Sequence, residues 1–343
     1  MSFYNTKNYS YLLQQDCSVV ITGDSLAYNR YDFIDEPMMN AWDCPIAMQS
    51  WSFLLRDYLI THSSGWVPAE KINIQINPRD MLADPPKAAL IKKHDQRLPL
   101  TEQQPLDTLS INVENSISAI QIKGCPENLC FITNSKAALF ETDGKQIDLQ
   151  GDINLFNGSY FKWVTSHSGF LKKFIEGSLL NIAGAADTKT DVFLTGSGSK
   201  TAEWMLENSY ERILKYNPNL CILIIGANNR RMNNPKNFKA ALNELIAAMK
   251  ENKTEIILIS PPHSTTTDPQ WGADNIYQPN EVVTKPIMKI LKKAAFDNKI
   301  PFINLFEFFR GIPSGDWRFD NTHFTQEGNF LLYKAIIDNY FKE

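Results

Sequence analysis

The chain has 343 residues, of which 43% are hydrophobic and 21% charged. This is ordinary globular usage at a length that suits one large or two linked domains, and it excludes a disordered or fibrous chain. With 34 basic against 38 acidic residues the formal net charge is −4, so no cationic surplus exists to neutralise a phosphate backbone and no nucleic-acid partner is expected. No apolar run approaches the length of a membrane span.

The five cysteines, Cys17, Cys44, Cys125, Cys130 and Cys221, are too few and too scattered for a disulfide scaffold. Cys125 and Cys130 are close enough for one bridge or half a metal site. No second Cys or His pair follows at zinc spacing, so they read as ordinary thiols and no metal is expected. Met1 to Asp16 is polar and aromatic, without the basic start and apolar stretch of a secretory signal. The expectation is a cytoplasmic protein, one carried on a phage or other particle that leaves by another route, or a trimmed chain. The oligomeric state is left open.

In chain order, Ser18–Thr22 is a short apolar run ending at Gly23 and reads as a buried strand. Ala47, Trp51, Leu54, Leu55 and Tyr58 recur at helical spacing over Ala47–Ile60. From about Lys71 the texture changes. Leu109, Ile111 and Val113 alternate with polar residues, as do Ile120 and Ile122, Ile147 and Leu149, and Ile153 and Leu155. Asp143-Gly144 and Asn157-Gly158 supply turn signals between them. This stretch predicts an antiparallel β-sandwich lasting to about Lys189.

After Thr190 the texture is that of alternating strands and helices. Strands are predicted at Asp191–Thr195, Leu220–Ile225, Glu255–Ser260 and Pro301–Leu305. Helices are predicted at Thr201–Lys215, Asn237–Lys250, Pro286–Asn298 and Gln326–Phe341. The fold class is therefore α/β: a three-layer parallel sheet (1–70 and 190–343) interrupted by an antiparallel β-sandwich (71–189).

Parallel sheets place their sites at the carboxyl ends of the strands. Those ends carry Gly23-Asp24-Ser25-Leu26, Gly196-Ser197-Gly198-Ser199 and Gly226-Ala227-Asn228-Asn229, and Asp320-Asn321-Thr322-His323 precedes the last helix. A serine nucleophile needs a base, the base an orienting acid, and the developing oxyanion a set of donors. Ser25 suits the nucleophile, His323 the base and Asp320 the acid. The backbone N–H groups of Ser25 and Gly198 and the Asn228 side chain suit the oxyanion hole. Singly, each residue reads as a helix cap or turn. Together, in four strand-end contexts, they read as a site.

The four segments resemble the blocks of the SGNH (GDSL) hydrolases over about 1–70 and 190–343. The resemblance implies a flavodoxin-like three-layer fold and the roles just given to Ser25, Asp320, His323, Gly198 and Asn228. It departs at Asn229, where the family usually has Asp. The serine lacks a Gly-x-Ser-x-Gly elbow, because Ala27 occupies the last place, and this argues against the ordinary α/β-hydrolase fold.

Ser25 and Gly198 lie 173 residues apart, far more than one helix and one strand require, and the β-rich segment fills the gap. Some SGNH esterases acting on acetylated polysaccharides carry such an added sandwich. Tyr160 and Trp163 are candidate sugar-stacking faces, whereas Phe161 reads as core. His263, at another strand end, is a candidate for bordering the site. His62, His94 and His167 show no ligand spacing, and Lys92-Lys93-His94 reads as a solvated cluster. The expected activity is hydrolysis of a small acyl ester, acetyl by preference, on a carbohydrate, with no cofactor. A lipase or thioesterase of the same fold and a carbohydrate-binding protein with a vestigial site are the alternatives.

Overall fold

A computed structural model of the chain describes residues 2–28, 50–76, 88–93, 108–113, 119–132, 139–149, 161–174, 178–230, 234–262, 280–313, 317 and 323–342. The elements begin with β1 (Phe3–Tyr4), β2 (Cys17–Gly23), α1 (Ser25–Tyr28) and α2 (Trp51–Thr61). A run of strands follows: β3 (Val67–Pro68), β4 (Asn73–Ile76), β5 (Ala88–Lys93), β6 (Thr108–Val113), β7 (Ala119–Lys123), β8 (Asn128–Ile132), β9 (Leu139–Thr142), β10 (Lys145–Asp148), β11 (Phe161–Thr165), β12 (Phe170–Lys172) and β13 (Ser178–Ala186). Then come β14 (Thr190–Leu194), α3 (Ala202–Glu207), α4 (Ser209–Arg212), β15 (Leu220–Ile224), α5 (Pro235–Glu251), β16 (Glu255–Ile259), α6 (Asn280–Asn298), β17 (Phe302–Ile303), α7 (Leu305–Phe308) and α8 (Gln326–Tyr340).

The chain divides into two compact units. One comprises Met1–Ser10, Ser18–Leu55 and Phe193–Glu343, the other Tyr11–Cys17 and Arg56–Val192. The first unit is built on a sheet of order β1-β17-β16-β15-β2-β14. β2, β15, β16 and β17 run parallel, and β1 joins the edge antiparallel to β17 through Phe3↔Ile303 and Tyr4↔Phe302. All five residues of β15 are buried, as a central strand covered on both faces requires. On one face Val20, Cys221, Leu223, Ile256, Leu258 and Phe302 pack in a single cluster with Met205, Phe238, Leu242, Leu245, Met249 and Leu291 from the helices. The alternating set Val19, Ile21, Ile222, Ile224, Ile257 and Ile259 is equally buried.

Local chemistry sets the helix ends. Asn234 accepts from Asn237 N–H and Pro235 occupies the first turn of α5, the position where its missing donor costs nothing. Two expectations need correction. The helix predicted over Thr201–Lys215 is broken into α3, α4 and a 3-10 turn at Leu214–Tyr216. At the break the Asn208 side chain donates to the Trp204 carbonyl at 2.8 Å and competes with the helical bonds there. The helix expected to start at Pro286 begins six residues earlier and carries the proline inside it.

The second unit holds two antiparallel sheets. One has the order β10-β9-β12-β7-β4; the other has β11-β8-β13-β6-β5, with β3 added to β13. One core cluster draws Ile76, Ile120, Ile122, Phe140 and Leu171 from the first sheet and Ile111, Leu129, Phe131, Val164, Leu180 and Ile182 from the second. That shared core makes the pair a β-sandwich. Asp143 and Gly144 join β9 to β10 with φ of 49° and 78°, the pair of positive values that a type I′ hairpin turn demands. Val67 and Pro68 pair with Ala185 and Gly184, so the chain entering the strands runs beside the chain leaving them. Lys92 and Lys93 end β5. Ile153, Leu155, Asn157-Gly158 and His94 lie outside the described residues.

Candidate active site

β2 and β15 end together, with Gly23 paired to Ile224. Gly23 has φ 145°, and a Cβ there would lie 1.8 Å from the Ile224 carbonyl oxygen, so only glycine fits. Ser197 N–H donates to the Gly23 carbonyl at 2.9 Å, which draws the Gly198 turn to the same edge. The three segments that end β2, β14 and β15 are therefore neighbours at the carboxyl end of the sheet.

Ser25 opens α1 and is half-buried. Its Oγ lies 2.9 Å from His323 Nε2, across 298 residues of sequence. This is the distance at which a serine hydroxyl donates its proton to an imidazole base. His323 stands just before α8, whose cap Thr325 accepts from Gly328 N–H. A Cβ on Gly328 would fall 2.0 Å from the Trp317 carbonyl oxygen, and that same oxygen accepts from Thr325 N–H at 2.9 Å. The His323 segment is thus tied down on its carboxyl side.

Asn228 is half-buried, and its side-chain amide donates to the Lys200 carbonyl at 3.0 Å. An amide carries two N–H donors, and one of them fastens the Gly198 turn. The neighbouring Asn229 is 3% exposed and does something else. Its Oδ1 accepts from Ala202 N–H at 2.9 Å and its Nδ2 donates to Glu203 Oε2 at 2.7 Å. An aspartate at 229 would face the Glu203 carboxylate with no donor, which gives the departure at this position its physical reason.

Asp24 contributes beyond what the sequence suggested. It is 1% exposed. Oδ1 accepts from Leu26 N–H at 3.0 Å and Oδ2 from Ala227 N–H at 3.2 Å. Burial pushes its carboxyl up to about 6, against the opposing pull of those N–H groups and of the Arg230 and His323 charges. Arg230, 5% exposed, donates through Nη1 to the Pro262 carbonyl at 3.0 Å. Asp24 was visible in the sequence beside Ser25, but nothing local marked Arg230.

Asp320, His263 and Tyr160 lie outside the described residues. Trp163 sits in β11, half-buried. Its Nε1 donates to the Thr190 carbonyl at 3.0 Å and Trp66 meets its ring edge-on at 6.2 Å. Phe161 is 2% exposed and is core. Cys17, Cys125, Cys130 and Cys221 carry free thiols. Among the described residues no three His, Cys, Asp or Glu side chains cluster as a metal site would need, and no helix is long and apolar enough to cross a membrane.

Residues 177–330 match the model of the GDSL-like Lipase/Acylhydrolase family. Over this part the chain is similar to the GDSL-like (SGNH) hydrolases. The GDSL match contains Gly198, Asn228 and His323 and begins well after Ser25, which the tertiary structure alone brings to His323. Among solved structures the chain is similar to a peptidoglycan O-acetylesterase at 12% identity, covering 94% of this chain and 90% of that one with a TM-score of 0.44. It is also similar to an acetylxylan esterase of Geobacillus stearothermophilus (17% identity, 44% of this chain and 72% of that one, TM-score 0.36). A lipase/acylhydrolase of Enterococcus faecalis is a third such structure (22% identity, 44% and 75%, TM-score 0.38). No curated protein matches the chain.

Proposed function

We propose that the protein is a serine esterase that removes a small acyl group, acetyl by preference, from a carbohydrate. The observation that carries this reading is the 2.9 Å contact between Ser25 Oγ and His323 Nε2 at the carboxyl end of a parallel sheet. Ser25 Oγ attacks the ester carbonyl as His323 Nε2 takes its proton. The tetrahedral oxyanion is met by the N–H groups of Ser25 and Gly198 and by the Asn228 amide. On collapse the alcohol leaves with the proton that His323 returns. Water, deprotonated by the same nitrogen, then attacks the acyl-enzyme and releases the carboxylic acid. Asp320 has the role of holding the Nδ1–H tautomer. The support for a carbohydrate is the β-sandwich between Ser25 and Gly198, which has the extent of a separate binding module; residues 71–189 are proposed to supply that binding.

Ser25→Ala and His323→Ala should each lower hydrolysis of a nitrophenyl acetate by about 10⁴-fold or more, since the pair acts as one proton-transfer unit. A fluorophosphonate should label the native protein at Ser25 and leave Ser25→Ala unlabelled. Acetate release across a panel of acetylated glycans then tests the substrate class. Near-native turnover by Ser25→Ala would refute the mechanism. Turnover of long-chain acyl or thioester substrates in preference to acetylated glycans would move the reading to a lipase or thioesterase.

A further inference from the structure

Ser25 and His323 come from opposite ends of the sequence, so their distance depends on what holds the two backbones. On the Ser25 side, the next residue is Leu26, which is fully buried. Its carbonyl accepts from the indole Nε1 of Trp51 at 2.8 Å. Trp51 is also fully buried and is the first residue of α2. Its own backbone N–H donates to Asn329 Oδ1 at 3.0 Å. Asn329, 1% exposed, sits in the first turns of α8. Its Nδ2 donates to the carbonyls of Thr325 at 2.9 Å and Phe324 at 3.4 Å, and Phe324 is the residue after His323. An unbroken, buried path of hydrogen bonds runs from the residue after the nucleophile to the residue after the base.

The chemistry of each member fits this path more closely than it fits plain helix capping. The first N–H groups of a helix need acceptors. Ser50 already serves that purpose, its Oγ accepting from Phe53 N–H, and any acceptor would serve Trp51. The side chain at 329 accepts from one backbone and donates to another, which a carboxylate or an aliphatic group of the same size cannot do. The side chain at 51 carries a donor on a large apolar ring, which phenylalanine and the aliphatic residues lack.

We propose that Trp51 and Asn329 are positioning residues that hold the Ser25 turn and the His323 segment at proton-transfer distance. This rests on the reading of Ser25 as nucleophile and His323 as base. Neither residue touches the reacting atoms. Their loss should therefore lower the acylation rate while leaving substrate affinity alone.

The test uses the full chain with nitrophenyl acetate and a fluorophosphonate. Trp51→Phe keeps an aromatic side chain, smaller than the indole, and deletes the donor; Asn329→Ser is a second variant that leaves the indole in place. Each should lower kcat about 10- to 100-fold at unchanged KM and slow fluorophosphonate labelling of Ser25 in proportion, under conditions where circular dichroism shows a folded protein. Because both residues act through one path, the double variant should lose no more than the worse single variant. Ile213→Val, a core change elsewhere in the same unit, should leave kcat unchanged and so separates positioning from general loss of stability. Native kcat in either folded variant, or multiplicative losses in the double variant, would overturn the proposal. The Ser25→Ala control keeps the two readings apart. If Ser25→Ala is inactive and Trp51→Phe fully active, the positioning role alone fails; if Ser25→Ala is active, the esterase mechanism itself fails.

Discussion

Asp24 Oδ2 accepts a hydrogen bond from the backbone N–H of Ala227 at 3.2 Å. The bond joins the turn that carries Ser25 to the loop that carries Asn228, so the proposed nucleophile and the proposed oxyanion donor share one buried carboxylate. An acid with almost no exposure is tolerated here because backbone N–H groups and the Arg230 charge face it.

That carboxylate should leave a mark on stability. Burial raises its pKa from 3.8 to about 6 in the folded protein, so between those values the native state holds a proton that the unfolded chain has released. Its contribution is fully present below pH 4 and is lost as pH rises through 6, a change on the order of 2–3 kcal/mol. Denaturant unfolding of the native protein and Asp24→Asn from pH 4 to 8 should show the stability difference moving toward the variant up to about pH 6.5 and then levelling. A difference that ignores pH would contradict this.

Asn228 and Asn229 should separate kinetically. Asn228→Ala removes the proposed oxyanion donor and should lower kcat roughly 10²- to 10³-fold with little change in KM. Asn229→Ala instead strands Ala202 N–H and the Glu203 carboxylate. It should cost about 1–3 kcal/mol of stability and much less activity. The reverse ranking would mean that the roles in this loop are exchanged.

Two glycines should differ in tolerance. Gly23→Ala forces a side chain against the Ile224 carbonyl at 1.8 Å in a positive-φ conformation. It should unfold the protein or cost more than about 3 kcal/mol. Gly144→Ala, also at positive φ but with open space around it, should cost about 1 kcal/mol. Thermal melts of the two variants decide the matter.

The pairing of Val67 with Ala185 makes an excision feasible. Replacing residues 69–183 by a short Gly/Ser linker has only neighbouring ends to join, so its closure entropy is modest. Some hydrolysis of a small acetyl ester should survive, while activity on an acetylated polymer should fall much further through loss of remote contacts. Equal losses on both substrates in a folded variant would argue against a substrate-binding role for the sandwich.

What sequence determined by itself was the local grammar of each unit. Consecutive apolar residues such as Leu220–Ile224 can be buried only in a doubly covered strand, and alternation such as Ile120 and Ile122 only in a half-covered one. Asp143-Gly144 takes a conformation few other pairs accept. The glycine, serine and asparagine segments stood out because they follow strands, where parallel sheets place their sites. Tertiary structure decided what depends on partners far along the chain. Phe3–Tyr4 is too short to signal a strand and becomes one because β17 presents an open edge. Trp51, Asn329, Arg230 and Glu203 are unremarkable in their own neighbourhoods. They acquire roles because the sheet brings together backbones separated by tens to hundreds of residues, where a buried donor or acceptor must find its partner at close range.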